Sequence, residues 1–373
     1  MNKCLICGVD LDQNNQSEEH IIPNSLGGVL TSRLLICSDC NSKFGADCDA
    51  KLAEDLKLFA NFLDIKRDRG ENRPLVGEAP NANYLIRPGG KPELIKPVIE
   101  IDESKKGKRI HIEARDMDQA KEILEGLKRK HPEIDVERAL SQAEHKREYL
   151  DEFLKLNFVF RGRDSLRAVV KMAFFYLKYK IPELVIDETN IISFLKNESD
   201  FREVYFFYPD TQTILTPDKT VCHSIIIKSY PVYRTLVAFV ELYNSVSFIV
   251  ELSHDFADEV QEVYIYDVLN RVELRNVEIT YPLISRAILD DLFDNKPPYY
   301  DKVSKRFESF LKLALDRQHQ SHRAELIQRA MSNSLAKHPE GIPITPEMID
   351  EFVEKLMDEI TPLLIRNLKG YDE

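Results

Sequence analysis

Hydrophobic residues recur at three- and four-residue intervals in several segments, a spacing that places them on one face of an α-helix. This spacing predicts helices over residues 47–66, 117–130 and 165–180. Asp164 or Ser165 can cap the third of these helices. The C-terminal region is also helical in pattern, and Thr345 followed by Pro346 is typical of a helix start. Pro362 predicts a kink in that last helix.

Other segments alternate between apolar and polar residues or form short apolar runs, which predicts β-strands. The predicted strands are residues 83–87, 94–101, 109–114, 203–208, 222–229, 235–243, 246–252 and 259–266. Only Asn244 and Ser245 separate two of these strands, so we expect a hairpin there. Another turn is expected at residues 104–107. Glycine and proline cluster at residues 70–90, which indicates the exit from an N-terminal domain.

The chain has 373 residues, which indicates two or three domains. We place boundaries after residues 75 and 150, which gives domains at 1–75, 76–150 and 151–373. Hydrophobic residues make up 43% and charged residues 31%, a soluble globular composition. No apolar run approaches the ~20 residues that a membrane helix needs. The first residues lack the apolar core of a signal peptide, so we expect a cytoplasmic protein without membrane contact.

The formal net charge of −12 excludes a protein that is basic over its whole surface. Nucleic-acid binding depends on lysine and arginine, so any such surface must be a local patch. Candidate phosphate contacts near the N-terminus are Lys3, Arg33, Lys43, Lys66, Arg67 and Arg69. Residues 105–147 and 296–329 also lean basic, although charged residues on helices ordinarily only face solvent.

The cysteines are the most informative feature. Four of the six form two pairs, each with two intervening residues: Cys4, Cys7, Cys37 and Cys40. Two such knuckles complete a tetrahedral four-sulfur site, so we expect structural zinc. The alternative is four unrelated buried cysteines, which this spacing disfavours. Cys48 and Cys222 lack a partner at such spacing and are expected to be small buried hydrophobic residues.

The segment between the knuckles carries its own motif. It contains EEHIIP at residues 18–23 and LGG at 26–28, and the second knuckle reads ICSDCN at 36–41. This order resembles the HNH (His-Me finger) endonucleases, in particular the subgroup with a four-cysteine zinc ribbon around the active site. The resemblance covers residues 4 to about 60. It implies an N-terminal ββα-metal domain. With the elements that the pattern predicts, we expect an α+β protein in which this domain precedes a larger mixed α/β region with a helical C-terminal part.

The resemblance also implies roles for particular residues. His20 would be the general base, and Glu19 with Asn41 would hold a catalytic divalent ion, Mg²⁺ or Mn²⁺. Adjacent strand residues point to opposite faces, so a bulge or a strand end must bring Glu19 and His20 together. The family's central asparagine corresponds here to Ser32, which can still bond a backbone carbonyl or His20. Asn41 stands where a histidine is usual, and its oxygen favours Mg²⁺ and Mn²⁺.

Three functions follow from these residues. The first is a metal-dependent endonuclease that hydrolyses phosphodiester bonds in nucleic acid, with DNA favoured and anti-phage defence as the setting suggested by analogy. The second is a nuclease effector regulated by a ligand or partner that the region after residue 150 binds. The third is a non-catalytic zinc-ribbon protein that binds nucleic acid, with Ser32 and Asn41 marking a decayed site. The large C-terminal region has substrate binding, regulation and homo-oligomerisation as its candidate roles.

Overall fold

The structure is a computed structural model. It describes residues 2–68, 70–80, 83–104, 107–144, 154–160, 162–210, 213–215, 217, 219–336, 338 and 341–369. The predicted turn at 104–107 and the candidate phosphate contact Arg69 therefore lie partly or wholly outside the described residues. Among the helices of these ranges, none combines the length and the apolar character that a membrane crossing requires.

Helices and strands alternate irregularly along the chain. The helices are α1 Ser38–Ala46, α2 Cys48–Asp55, α3 Lys57–Phe62, α4 Met117–Lys128, α5 Val136–Ser141, α6 Arg163–Lys180, α7 Thr189–Leu195, α8 Arg286–Asn295, α9 Tyr300–Leu335 and α10 Pro346–Lys369. The strands are β1 Glu19–His20, β2 Thr31–Ser32, β3 Leu75–Glu78, β4 Asn83–Arg87, β5 Lys91–Leu94, β6 Val98–Ser104, β7 Gly107–Glu113, β8 Val204–Phe206, β9 Ile214–Leu215, β10 Cys222–Tyr230, β11 Thr235–Leu242, β12 Val246–Ser253, β13 Gln261–Asp267, β14 Val272–Glu273 and β15 Glu278–Ile279. The predicted α+β class is confirmed.

The chain divides into two compact units. The first contains residues 1–75, 88–90 and 157–313, and the second contains residues 76–87, 91–156 and 314–373. The second unit holds the sheet β3-β4-β5, the hairpin β6-β7 and most of the C-terminal helices. The predicted division into domains at 1–75, 76–150 and 151–373 stays a prediction. The two compact units are defined by contacts, and they place residues 1–75 together with residues 157–313.

The centre of the first unit is a six-stranded antiparallel sheet in the order β14-β13-β10-β11-β12-β8. Strands β10, β11 and β12 are buried along almost their whole length. Such continuous burial explains why they appear in the sequence as apolar runs and not as strict alternation. Helix α6 packs against this sheet and against α2.

Helix α6 is buried around most of its circumference, and residues Arg167 to Lys178 are all buried. The sequence predicts one apolar face for this helix, whereas the structure also buries Arg167, Lys171 and Lys178. A buried charge must instead be paired. The predicted cap was wrong: Gly162, with a φ of 79°, precedes the helix without a side-chain cap. Ser165 Oγ donates instead to Asp55 Oδ2 at 2.5 Å.

The predicted helix over residues 47–66 is divided into α2 and α3, which meet at Leu56. The predicted hairpin between β11 and β12 is confirmed. Its turn is shifted by one residue, since Tyr243 and Asn244 have φ angles of 57° and 53°. Two consecutive positive φ angles match the twist of hairpin strands. Tyr243 adopts this backbone while its ring stacks on Phe59 with centroids 5.4 Å apart.

Candidate active site and zinc centre

The four predicted zinc ligands lie together. Cys4 and Cys7 flank a tight turn in which the Gly8 N–H donates to the Cys4 carbonyl at 2.9 Å, while Cys37 precedes α1 and Cys40 lies in its first turn. All four Sγ atoms lie within 4.8 Å of one another, and Cys7 Sγ and Cys37 Sγ are 3.7 Å apart. Tetrahedral zinc with Zn–S bonds of about 2.3 Å would place its sulfurs about 3.8 Å apart. The cluster therefore fits a zinc ion.

The local field also favours a thiolate in this cluster. Burial opposes ionisation of Cys4, but the backbone N–H groups of Cys7, Cys37 and Ile6 lower the pKa of its thiol to about 7. Zinc binds the thiolate form of cysteine.

The motif between the knuckles forms a two-stranded ribbon in which Glu19 pairs with Ser32 and His20 with Thr31. The chain then turns back closely on itself. Gly27 has a φ of 91°, and a Cβ on Gly28 would lie 2.0 Å from the Ile22 carbonyl oxygen. Glycine is therefore required at both positions, by conformation at the first and by close backbone approach at the second.

Two residues of the segment 157–313 hold this turn in place. Tyr243 Oη donates to the Leu26 carbonyl oxygen at 2.9 Å, and His223 Nε2 lies 2.9 Å from the same oxygen. His223 is fully buried. Burial lowers its pKa from 6.5 to about 4, although the Leu26 bond opposes this shift. The imidazole is therefore neutral in the folded protein.

This burial predicts acid sensitivity. The unfolded chain takes up a proton at His223 below about pH 6.5, whereas the folded protein does so only near pH 4, so acid favours unfolding. Between pH 7.5 and pH 5 this residue should remove roughly 2 kcal/mol from the free energy of unfolding. His223→Gln should lack this component when urea denaturation is compared at the two pH values. Equal pH dependence in wild type and variant would contradict the expectation, and acid release of zinc affects both proteins alike.

A cavity of about 330 Å³ opens beside the ribbon. Three of the four predicted catalytic residues line it: Glu19, His20 and Asn41. The remaining lining residues are Pro23, Asn24, Ser25, Gly45, Asp49, Ala50, Ala53, Glu54, Lys57, Arg67 and Arg73. Because β1 ends at His20, the two adjacent residues Glu19 and His20 both reach the cavity, as the strand-end argument required.

His20 is partly exposed, and its Nε2 lies 3.4 Å from Asp68 Oδ2. Asp68 is itself held: its Oδ2 accepts a bond from Asn24 Nδ2 at 2.7 Å, and Arg271 lies 3.6 Å from its Oδ1. The negative charge of Asp68 beside Nε2 favours a proton on that nitrogen, which leaves Nδ1 as the basic nitrogen.

Glu19 and Asp49 share one buried lysine. Lys171 Nζ lies 2.7 Å from Glu19 Oε1 and 2.5 Å from Asp49 Oδ2, and Lys171 itself is fully buried. Burial raises the pKa of Glu19 and outweighs the opposing charge of Lys171. For Lys171 burial acts in the opposite sense, yet Asp49 and Glu19 overcome it and raise its pKa above the ordinary value.

Asn41 and Ser32 differ in what they do. Asn41 Nδ2 donates to Ser17 Oγ at 2.7 Å, which directs the amide and leaves its Oδ1 without a donor among the described residues. Ser32 is absent from the cavity wall, and its Oγ accepts from the Leu34 N–H at 3.2 Å. The Ser32 hydroxyl therefore closes the turn after β2, and its bond to a carbonyl or to His20 stays a prediction.

Lys57, Arg67 and Arg73 also line the cavity. Lys57 and Arg73 are paired with Glu54, at 2.6 Å and 3.5 Å. Arg67 differs: its Nε is buried without a hydrogen-bond partner, and its guanidinium meets no carboxylate among the described residues. Burial lowers the pKa of Arg67, although arginine stays charged.

Sequence reasoning missed Lys171 and Asp68 altogether. Asp68 carries no motif, so no sequence signal marks it. Lys171 had a signal, because it interrupts an apolar run between Val170 and Met172. Lysine is rarely fully buried without a partner, so a lysine in such a run indicates a carboxylate elsewhere in the fold.

Residues 4–57 match the family model of the HNH endonucleases. No curated protein and no solved structure matched the chain. The matched segment contains both knuckles and the ribbon that carries Glu19 and His20. The N-terminal part of the chain is therefore an HNH endonuclease domain, which confirms the resemblance and supports a nuclease.

Proposed function

We propose that this protein is a metal-dependent endonuclease that hydrolyses phosphodiester bonds in nucleic acid, with DNA as its substrate. One observation carries the proposal: Glu19, His20 and Asn41 line a single cavity beside a cluster of four thiols. DNA rests on the family resemblance alone, so RNA is an outcome of the test. A role in anti-phage defence also rests on the family resemblance alone. A plaque assay with cells that express the protein tests it.

The proposed general base is His20. Asp68 lies 3.4 Å from Nε2 and favours a proton on that nitrogen, so Nδ1 would take the proton from the attacking water. Glu19 and Asn41 supply the hard oxygen ligands that Mg²⁺ and Mn²⁺ prefer, and both line the cavity. When bound there, the divalent ion would stabilise negative charge on the phosphate and on the leaving 3′ oxygen. The expected products carry 5′-phosphate and 3′-hydroxyl ends.

The direct test incubates the zinc-loaded protein with plasmid, linear duplex, single-stranded DNA and RNA. Each substrate is offered Mg²⁺, Mn²⁺ or EDTA, and the ends of the products are identified by ligation and end labelling. Cleavage that needs a divalent ion supports the proposal. Binding of nucleic acid without cleavage under every ion would favour the non-catalytic alternative. The absence of Ser32 from the cavity wall is the observation that supports this alternative.

A regulated effector remains the second candidate, and one observation favours it. Helix α6 belongs to the region after residue 150, and its Lys171 bonds two carboxylates of the cavity. A ligand that moved this helix would alter the site directly. Full cleavage by the purified protein, without any added ligand or partner, would exclude this candidate.

We propose Arg67 as the group that binds a substrate phosphate. Arg67 lines the same cavity as the carboxylates, and its Nε is buried without a hydrogen-bond partner among the described residues. A phosphate offers charged oxygen atoms, two of which can accept hydrogen bonds from one guanidinium. Arg67→Ala should weaken substrate binding by about tenfold, as expected for loss of one charge-assisted bond of ~1.5 kcal/mol or more.

The measurement for Arg67 is binding of a labelled duplex, with the divalent ion replaced by Ca²⁺ to suppress cleavage. Arg33→Ala is the matched control, because Arg33 is exposed and already pairs with Glu18 at 3.2 Å. Equal losses in both variants would show only a general charge effect and would contradict a specific role for Arg67.

A further inference from the structure

We propose that Lys171 is a resident counter-ion that sets the affinity of the active site for its divalent ion. This inference rests on the proposed function, because it concerns the ion held by Glu19 and Asn41. Lys171 belongs to α6, far from the HNH motif in sequence. It is therefore a positioning residue supplied by a different part of the chain.

The Lys171 ammonium contacts groups that attract a cation, namely two carboxylates and two aromatic rings. Its ammonium lies 2.7 Å from Glu19 Oε1 and 2.5 Å from Asp49 Oδ2. The rings of Phe44 and Phe175 lie over it at 5.5 Å and 5.9 Å. Aromatic faces attract a cation weakly and exclude water. The ammonium is thus fixed where it meets both carboxylates.

The position of the two carboxylates links this pair to the cavity. Both Glu19 and Asp49 line the cavity wall, whereas Lys171 lies behind them and is fully buried. A cation that enters the cavity therefore meets two acids that already share one positive charge. Their combined charge with Lys171 is −2 + 1 = −1.

This balance determines how strongly a divalent ion is held. Removing Lys171 changes the local charge from −1 to −2, which should strengthen binding of a divalent cation. Removing the charge of Asp49 alone changes it to zero, which should weaken binding. Changing both restores −1. Charges a few ångströms apart in a partly buried site interact by more than 1 kcal/mol, so steps of about tenfold are expected.

The experiment measures Mn²⁺ binding to the zinc-loaded full chain by electron paramagnetic resonance of the free ion. We expect Lys171→Met to bind Mn²⁺ at least about tenfold more tightly than wild type, and Asp49→Asn about tenfold more weakly. The double variant K171M/D49N should lie within about threefold of wild type. Tighter binding after loss of a buried residue is a result that a merely structural role does not produce.

Lys178→Met is the matched control, since Lys178 is a buried lysine on the same helix that pairs with Glu188 outside the cavity. Its Mn²⁺ affinity should equal that of wild type. If Lys171→Met does not fold, comparison of Asp49→Asn with the double variant still tests whether Mn²⁺ affinity follows the local charge. The proposal fails if Lys171→Met binds no more tightly than wild type, or if the double variant does not recover the loss in Asp49→Asn.

Failure of the proposed function is a separate result. A wild-type protein that neither binds Mn²⁺ nor cleaves nucleic acid would overturn both proposals. A wild-type protein that cleaves with Mn²⁺ while the affinities ignore the charge order would overturn the role of Lys171 alone.

Discussion

Replacing His20 with alanine should reduce divalent-ion-dependent cleavage by about 10²–10⁴-fold, the range expected for loss of a general base. The reason is geometric. His20 combines access to the cavity with a nearby carboxylate, Asp68, whose Oδ2 lies 3.4 Å from Nε2. Among the described histidines, His20 alone lines this cavity. The measurement is the rate of plasmid cleavage under conditions in which every enzyme molecule is bound to substrate.

The fold should survive this change, because His20 is partly exposed and lies at the end of a two-residue strand. Zinc content and thermal unfolding of the variant should therefore match those of wild type. His254→Ala serves as the control, since His254 is exposed and lies outside the cavity. An undiminished rate in His20→Ala would show that another group is the base.

Replacing Cys40 with serine should release zinc and greatly lower stability. Structural zinc in small domains contributes on the order of 10 kcal/mol of binding free energy, and that free energy is also folding free energy. Cys40 immediately precedes Asn41 on α1, so loss of the ion should displace the proposed metal ligand as well. Both the melting temperature and the cleavage rate should therefore fall.

Zinc content per chain, measured by elemental analysis, and thermal unfolding by circular dichroism test this expectation. Cys222→Ala is the matched control, because Cys222 is buried in β10, far along the chain from the knuckles, and belongs to the sheet core. The control should keep its zinc. Retention of full zinc content and an unchanged melting temperature in Cys40→Ser would contradict the four-thiol site.

Local chemistry explains which features were predictable. The cysteine pairs, the ribbon motif and the β11–β12 hairpin depend on residues close in sequence, so spacing alone predicts them. Helix α6 depends on tertiary packing, because a stretch that reads as one apolar face is in fact covered on nearly all sides. Likewise, the pairing of Lys171 with Glu19 and Asp49 joins segments that only the folded chain brings together.

The role of Ser32 shows the opposite limit. Ser32 corresponds to the family's central asparagine, and in the folded chain it lies opposite Glu19 across β1 and β2, where its hydroxyl accepts from the Leu34 N–H. A position in a motif predicts where a residue lies along the chain. It does not predict which neighbouring polar group the side chain will choose when several are within reach.

The tip of the β11–β12 hairpin carries one last consequence. Tyr243 donates to the Leu26 carbonyl oxygen and stacks on Phe59. The turn between β11 and β12 therefore packs directly against the N-terminal segment. The HNH segment of this protein therefore depends on residues outside the segment. If residues 4–57 were grafted alone onto another scaffold, they would lose the Tyr243 contact and the lysine that neutralises part of the charge of Glu19 and Asp49. The new scaffold would have to provide both.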